Sequence, residues 1–232
     1  LRERFGKDKI IIIGQSWGTV LGMDYINLHS EKVAAFIGVG QVTNFSQGKI
    51  YAAENAAQIA AENGNKEDTE FLEQCIERLS KTEGIAKLDI KTLEEMIITS
   101  TKYLKCDGEM SGIKRIFAAV TSPEMLWNDA KWFLFASDTQ NIITSQNSLV
   151  DYMYFQFDVM KLSKEYDIPI CFIQGDSDWV TPTSLVNDYY GVIVSDKKEM
   201  IVINNAGHTP FLDNPEQFCE AVKTFLSECE NE

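Results

Sequence analysis

Only two histidines, His29 and His208, occur in the 232-residue chain, so chemistry that needs an imidazole near neutral pH has two candidates. Positive charge is scarce as well: 21 Lys and Arg stand against 35 Asp and Glu, a formal net charge of −14 spread evenly along the chain. Nucleic-acid backbones and anionic membrane surfaces demand clustered cations, which argues against both as partners. The five cysteines (Cys75, Cys106, Cys171, Cys219, Cys229) are scattered and odd in number, with no C-x-x-C pair. That argues against a disulfide framework or a zinc site and fits a reducing, cytoplasmic compartment. No run approaches the ~18 consecutive apolar residues of a membrane span. Neither a phosphate-cradling glycine loop nor a cluster of metal ligands is present, so no cofactor and no metal is expected. A signal peptide is also missing. The chain opens at Leu1 and enters a buried-type strand within ten residues, as if an N-terminal part preceded it.

Material for a core is ample, 44% of the residues being hydrophobic, and it is organised in three textures. Residues 1–43 read as helix end, strand, helix and strand. The isoleucine run 10–13 predicts a parallel strand covered on both faces, 19–29 a helix, and Val33–Val39 a second apolar strand. Residues 44–160 read as helical throughout. Phe71, Leu72, Cys75, Ile76 and Leu79 form one apolar stripe at helical spacing. Thr92 and Glu95 have capping-box spacing, with Asp89 as an earlier alternative cap, and Ser122-Pro123-Glu124 predicts a helix start with Pro at its first position. Aromatic residues crowd 126–135 and 147–160, among them Trp127, Trp132, Phe133, Phe135, Tyr152, Tyr154, Phe155 and Phe157. They either pack helices together, the favoured reading, or line a substrate pocket. Residues 161–232 return to alternation, with strands at 168–173 and 200–203 and helices at 183–194 and 214–229. Asn214 is placed to cap the last helix, ahead of Pro215 and Gln217, with Phe218, Val222, Phe225 and Leu226 facing the sheet. The order βαβ, helices, βαβα predicts an α/β fold whose mostly parallel sheet is interrupted by an all-helical lid.

Three loops carry the chemistry. Gly14-Gln15-Ser16-Trp17-Gly18 matches G-x-S-x-G, follows a buried-type strand and opens a helix. Such a turn holds the serine in strained backbone geometry and needs small neighbours, hence Gly14 and Gly18. Ser16 Oγ then projects at the C-terminal edge of the sheet, where the helix N-terminus and the Trp17 backbone N–H can stabilise an oxyanion. A serine hydroxyl needs a base. His29 lies thirteen residues along the following helix, ~20 Å away by helical rise, and is excluded. His208 follows an apolar strand in Asn204-Asn205-Ala206-Gly207-His208 and is assigned as base. The group that orients it comes from Gln174-Gly175-Asp176-Ser177-Asp178-Trp179, where Asp178 is favoured over Asp176 because it lies further into the loop.

With Ser, Asp and His in that chain order, the sequence is similar to the α/β-hydrolase superfamily. Within it the chain resembles the prolyl aminopeptidase (proline iminopeptidase) group through GQSWG at 14–18, GDSDWVTP at 175–182 and AGHTPFLDNPEQF at 206–218. The resemblance implies a hydrolase core at 1–43 and 161–232 around a helical lid at 44–160. It also implies acyl transfer from a small-molecule or short-peptide substrate, with Ser16 attacking an amide or ester carbonyl. An aminopeptidase would further need lid carboxylates for the substrate's ammonium group, Glu54 being one candidate among many. In that family, strands before the nucleophile strand carry an HG-rich loop donating a second oxyanion N–H. Without them this chain is expected to expose an apolar sheet edge, and to need a partner, a second copy or a further N-terminal segment for activity.

Overall fold

The isoleucine run forms a strand, but not the doubly covered one its composition predicts. In the computed structural model, which describes residues 1–136 and 139–230 apart from the side chains of Ala130, Phe133, Leu134, Ala136, Thr139 and Glu230, the chain starts with a one-turn helix, α1 (Arg2–Phe5). It continues as β1 (Ile10–Gln15), α2 (Trp17–His29) and β2 (Val33–Val39). Helices then follow one another: α3 (Phe45–Glu62), α4 (Lys66–Ser80), α5 (Ile90–Thr101), α6 (Gly112–Val120), α7 (Trp127–Ala136), α8 (Thr139–Ser145) and α9 (Asn147–Asp151). The remainder is β3 (Glu165–Tyr166), β4 (Ile170–Gly175), α10 (Thr183–Val192), β5 (Val194–Ser195), β6 (Lys198–Ile203), α11 (Pro210–Asp213) and α12 (Pro215–Glu230).

Strands β1, β2, β4 and β6 pair in that order, all parallel, while β3 and β5 form a separate two-residue ladder. The two inner strands alternate large side chains between faces, as the period of two requires. Phe36 and Phe172 join Met23 of α2 and Tyr189 of α10 on one side. Ile37, Val39, Cys171 and Ile173 pack with Phe225 of α12 on the other. Each fully buried aromatic here contributes on the order of 2–3 kcal/mol of transfer free energy. Phe225→Ala is therefore expected to lower stability by about 3–5 kcal/mol, read as a fall in the urea midpoint with unchanged slope.

β1 is the terminal strand of this sheet among the described residues. Ile12 packs against the α2 side of the core, but Ile11 and Ile13 remain 48% and 52% exposed. Hydrophobic composition alone could not tell an edge strand from a central one.

In the helical segment, the stripe Phe71, Leu72, Cys75, Ile76, Leu79 packs with Ile50, Ala53 and Ala57 of α3, as its spacing predicts. The cap of α5 is Asp89 and not Thr92: its carboxylate accepts from Thr92 N (3.2 Å) and Thr92 Oγ1 (2.7 Å). The helix start expected at Ser122 is absent. Ser122 Oγ accepts from Glu124 N at 3.3 Å, which commits the hydroxyl to a local turn, and α7 begins only at Trp127. Asn214 does cap α12, accepting from Gln217 N at 3.3 Å. The aromatic residues divide. Tyr152, Tyr154, Phe155 and Phe157 pack against cores, whereas Trp127 (74%), Trp132 (52%) and Phe135 (38%) are exposed, and the Phe133 side chain lies outside the described ones. No helix among the described residues is long and apolar enough to cross a membrane.

Candidate active site

Ser16 alone separates β1 from α2, so a strand must become a helix within one residue. It does so at φ 52° and ψ −116°; Ser16 and Asn205 are the non-glycine residues at positive φ among those described. Such geometry costs on the order of 1–3 kcal/mol and persists only where its surroundings enforce it. Here they do: Ser16 N donates to Val39 O at 2.9 Å, and Ser16 O accepts from Thr19 N at 2.8 Å and Thr19 Oγ1 at 2.5 Å. Gly14 is required because a Cβ there would lie 2.6 Å from the Gly18 carbonyl oxygen. Gly18 is not required in the same way, since a Cβ on it would meet open space, so the sequence expectation for this second glycine is corrected. Trp17 is the first residue of α2, and first-turn N–H groups have no partner within their helix. Its N–H therefore belongs to the helix's electropositive end, beside the Ser16 hydroxyl.

His208 and Asp178 reach the same sheet edge from the ends of β6 and β4. His208 Nε2 lies 2.8 Å from Ser16 Oγ, and Nδ1 lies 3.0 Å from Asp178 Oδ2. With Nδ1–H donating to the carboxylate, Nε2 has a lone pair directed at the serine O–H. The carboxylate is buried and saturated. Oδ1 accepts from Val180 N (2.9 Å) and Thr181 N (2.8 Å), and Oδ2 accepts from Thr181 Oγ1 (2.7 Å). Asp176 has a different task, accepting from Asn205 N at 2.8 Å and Ala206 N at 3.3 Å. It thereby pins the turn that presents His208. A third carboxylate, Asp213, accepts from Gly207 N (3.0 Å) and Met110 N (2.7 Å), joining the histidine loop to the segment after α5.

The two loops lie against each other at Gly175, where a Cβ would come within 2.2 Å of Gly207 O and 2.3 Å of Ala206 O. Gly175→Ala is expected to cost about 1–3 kcal/mol from overpacking, and to displace His208 from Ser16. A crystal structure of the variant with the Nε2 to Oγ distance unchanged would contradict that expectation.

A cavity of about 170 Å³ reaches His208 from the helical side, lined among others by Lys49 of α3, Met96 of α5, Glu109, Trp179 and Val180. None of the described residues of 126–160 lines it, so the aromatic clusters are not its walls. Glu54 is exposed and lies off this lining, and His29 sits at the far end of α2 beside Glu31 and Lys32. Sequence reasoning missed Lys49 and Glu109. For Lys49 a signal existed: it is the single basic residue of α3, one turn after Phe45 and close behind an apolar strand.

A parallel sheet, a serine held at positive φ between strand and helix, and an imidazole and carboxylate delivered by later strands define a hydrolase core. The sequence model of the family described as alpha/beta hydrolase fold matches residues 1–215, and the chain belongs to that family. Among curated proteins it is 22% identical over 222 residues to a probable aminopeptidase, YbaC, of Bacillus subtilis (strain 168), covering 96% of this chain and 66% of that protein. Among solved structures it is similar to VinJ, with TM-score 0.57 and 16% identity over 98% of this chain and 69% of that one. It is also similar to a proline iminopeptidase-related protein from Thermus thermophilus, with TM-score 0.51 and 17% identity over 97% and 66%. The chain thus spans about two thirds of the length of these relatives. The α/β-hydrolase superfamily expected from the motifs and their order is the family found.

Proposed function

We propose that the protein is a serine hydrolase in which Ser16 is the nucleophile, His208 the general base and then acid, and Asp178 the group that orients and stabilises the imidazolium. The observation that carries this reading is the continuous chain Ser16 Oγ, His208 Nε2, His208 Nδ1, Asp178 Oδ2, with steps of 2.8 and 3.0 Å. Proton transfer needs such contacts, and the carboxylate's remaining hydrogen bonds fix the ring's tautomer. Ser16 Oγ bonds to the substrate carbonyl carbon while its proton passes to Nε2. His208 then returns that proton to the departing amine or alcohol. Water, activated by the same nitrogen, cleaves the acyl-enzyme and releases the acid. Trp17 N–H supplies one oxyanion donor. In the active form the open edge of β1 is paired by a further strand, from other polypeptide or a second copy. Helices α3 to α9 act as the lid, and the protein works in the cytoplasm.

The substrate in this reading is a small amide or peptide with a free N-terminus. Support comes from the curated relative's printed name; Glu109 is the carboxylate on the cavity wall. A second reading, a small-ester hydrolase, is favoured by Glu109 already holding Arg115 at 2.6 Å. Turnover of amino-acid arylamides against short-chain aryl esters separates them. Hydrolysis of free-amine arylamides at least tenfold better than of their N-acetylated forms is the expected result, and no preference for the free amine would leave the ester reading.

A further inference from the structure

Lys49 has no assigned part in the chemistry, yet it lines the cavity that His208 also lines. It is half-buried on α3 and lies 4.9 Å from the centroid of the Phe45 ring, stacking one turn back along its own helix. Phe45 in turn meets Trp17, next to Ser16, edge to face at 6.5 Å. Among the described residues, no carboxylate or carbonyl oxygen hydrogen-bonds to or ion-pairs with this ammonium group. Asp178, whose charge acts on Lys49, and Glu109, on the same cavity wall, are both engaged. Asp178 is filled by Val180, Thr181 and His208, and Glu109 is held by Arg115. Burial pushes the Lys49 pKa down to about 8, and Asp178's charge opposes that shift. A partly desolvated cation on a cavity wall shared with Ala52, Met96, Ile97 and Leu104, with no direct ion pair, is costly to the folded protein unless it has a partner to meet.

We infer that Lys49 is a specificity-determining residue that receives a carboxylate of the substrate, so that the preferred substrates of the proposed hydrolase are anionic. The inference rests on the Ser16 reading for its location and on the ammonium's lack of a direct ion-pair partner among the described residues for its chemistry. That carboxylate has two sources: the C-terminus of a short peptide, beyond the scissile bond, or the distal acid of a dicarboxylic acyl group, before it. In either case the ring of Phe45 holds the ammonium in place and the cavity's apolar wall excludes water, which strengthens the ion pair.

The test uses two matched pairs: a dipeptide with a free C-terminus against its C-terminal amide, and mono-p-nitrophenyl glutarate against p-nitrophenyl valerate. The quantity read is the anionic-to-neutral ratio of kcat/KM in the wild type, Lys49→Met and Lys49→Arg. For at least one pair the wild-type ratio is expected to collapse by about 10- to 100-fold in Lys49→Met, the worth of a charge-assisted hydrogen bond, and to recover partly in Lys49→Arg. Which pair responds identifies the source of the carboxylate. The titratable groups facing Lys49 are His208, Cys106 and Glu109 around the cavity and Asp178 behind it. His208 acts on both members of a pair, so its contribution cancels in the ratio. The wild-type preference should then fade as pH rises through about 8 and show no such step in Lys49→Met. A second measurement does not depend on turnover. Monomethyl glutarate and dimethyl glutarate are titrated calorimetrically into the Ser16→Ala protein with Lys49 intact or changed to Met. Tighter binding of the anion, lost with Lys49→Met, supports the inference even if Ser16 proves not to be a nucleophile. Ratios within tenfold of one another in all variants, together with equal binding of the two glutarates, overturn it while leaving the Ser16 reading untouched.

Discussion

Ser16→Ala is expected to lower turnover of every substrate of the active form by about ten thousand- to a million-fold, while leaving the fold and the thermal midpoint close to wild type. The magnitude follows from the role proposed for the hydroxyl: without a nucleophile no acyl-enzyme forms, and only substrate binding and the oxyanion donors remain to speed direct attack by water. The stability expectation has a separate basis. Ser16 sits at φ 52°, and alanine tolerates positive φ no better than serine does, so the turn retains its strain. The bonds that enforce the turn are made by its backbone, Ser16 N to Val39 O and Thr19 to Ser16 O, and these survive loss of the hydroxyl. Steady-state kinetics and circular dichroism melting of the same preparation read both halves. A variant that keeps a tenth of wild-type kcat would remove Ser16 from the mechanism. A variant that unfolds is replaced by Ser16→Cys, which preserves shape and changes the nucleophile.

Asp178→Asn is the second large effect, expected to lower kcat by about a thousand- to ten-thousandfold. An amide can offer its NH₂ to His208 Nδ1, which fixes the tautomer with the proton on Nε2 and leaves no lone pair facing Ser16 Oγ. It also removes the negative charge that stabilises the imidazolium. Structural damage is a second consequence here. Thr181 N and Val180 N both donate to Oδ1, and Thr181 Oγ1 donates to Oδ2. An asparagine can satisfy either the backbone donors or the hydroxyl plus histidine, but not all four with the same polarity. The loss should fall in kcat more than in KM, because the ring's tautomer matters in the transition state and little for ground-state binding. Asp176→Asn, by contrast, touches only the turn at Asn205 and Ala206, and a loss of more than about tenfold there would mean that the two acids had been assigned in the wrong order.

Much of this arrangement was legible from residue order because the chemistry sits at ends of strands. A β-branched run followed by G-x-S-x-G, and apolar runs followed by Asp178 and His208, place three side chains on one edge of any parallel sheet. The strand Val33–Val39 was bounded to the residue, and α12 was set by its Asn214 cap and Gln217. Position within the sheet was not legible from composition, since the isoleucine run reads the same whether its strand is central or terminal. It was the family resemblance that implied an exposed apolar edge, and the pairing and the exposed Ile11 and Ile13 agree with it. The helical segment was harder still. Serine at 122 serves a turn, Trp127 and Trp132 point away from any core, and the wall of the cavity is built by Lys49, Met96 and Glu109, which carry no motif. Their proximity to His208 depends on how α3 and α5 pack over the loops. The bond from Met110 N to Asp213 shows how far apart in the chain the determining contacts lie.

Activation of Ser16 by His208 can be read from the intact mass of the protein after exposure to an alkyl fluorophosphonate at neutral pH. A single phosphonyl adduct mapped to Ser16 is expected, formed rapidly in the wild type, absent in Ser16→Ala, and slowed by at least a hundredfold in His208→Ala. An adduct on another side chain, or labelling of Ser16 at an unchanged rate without the imidazole, would contradict it.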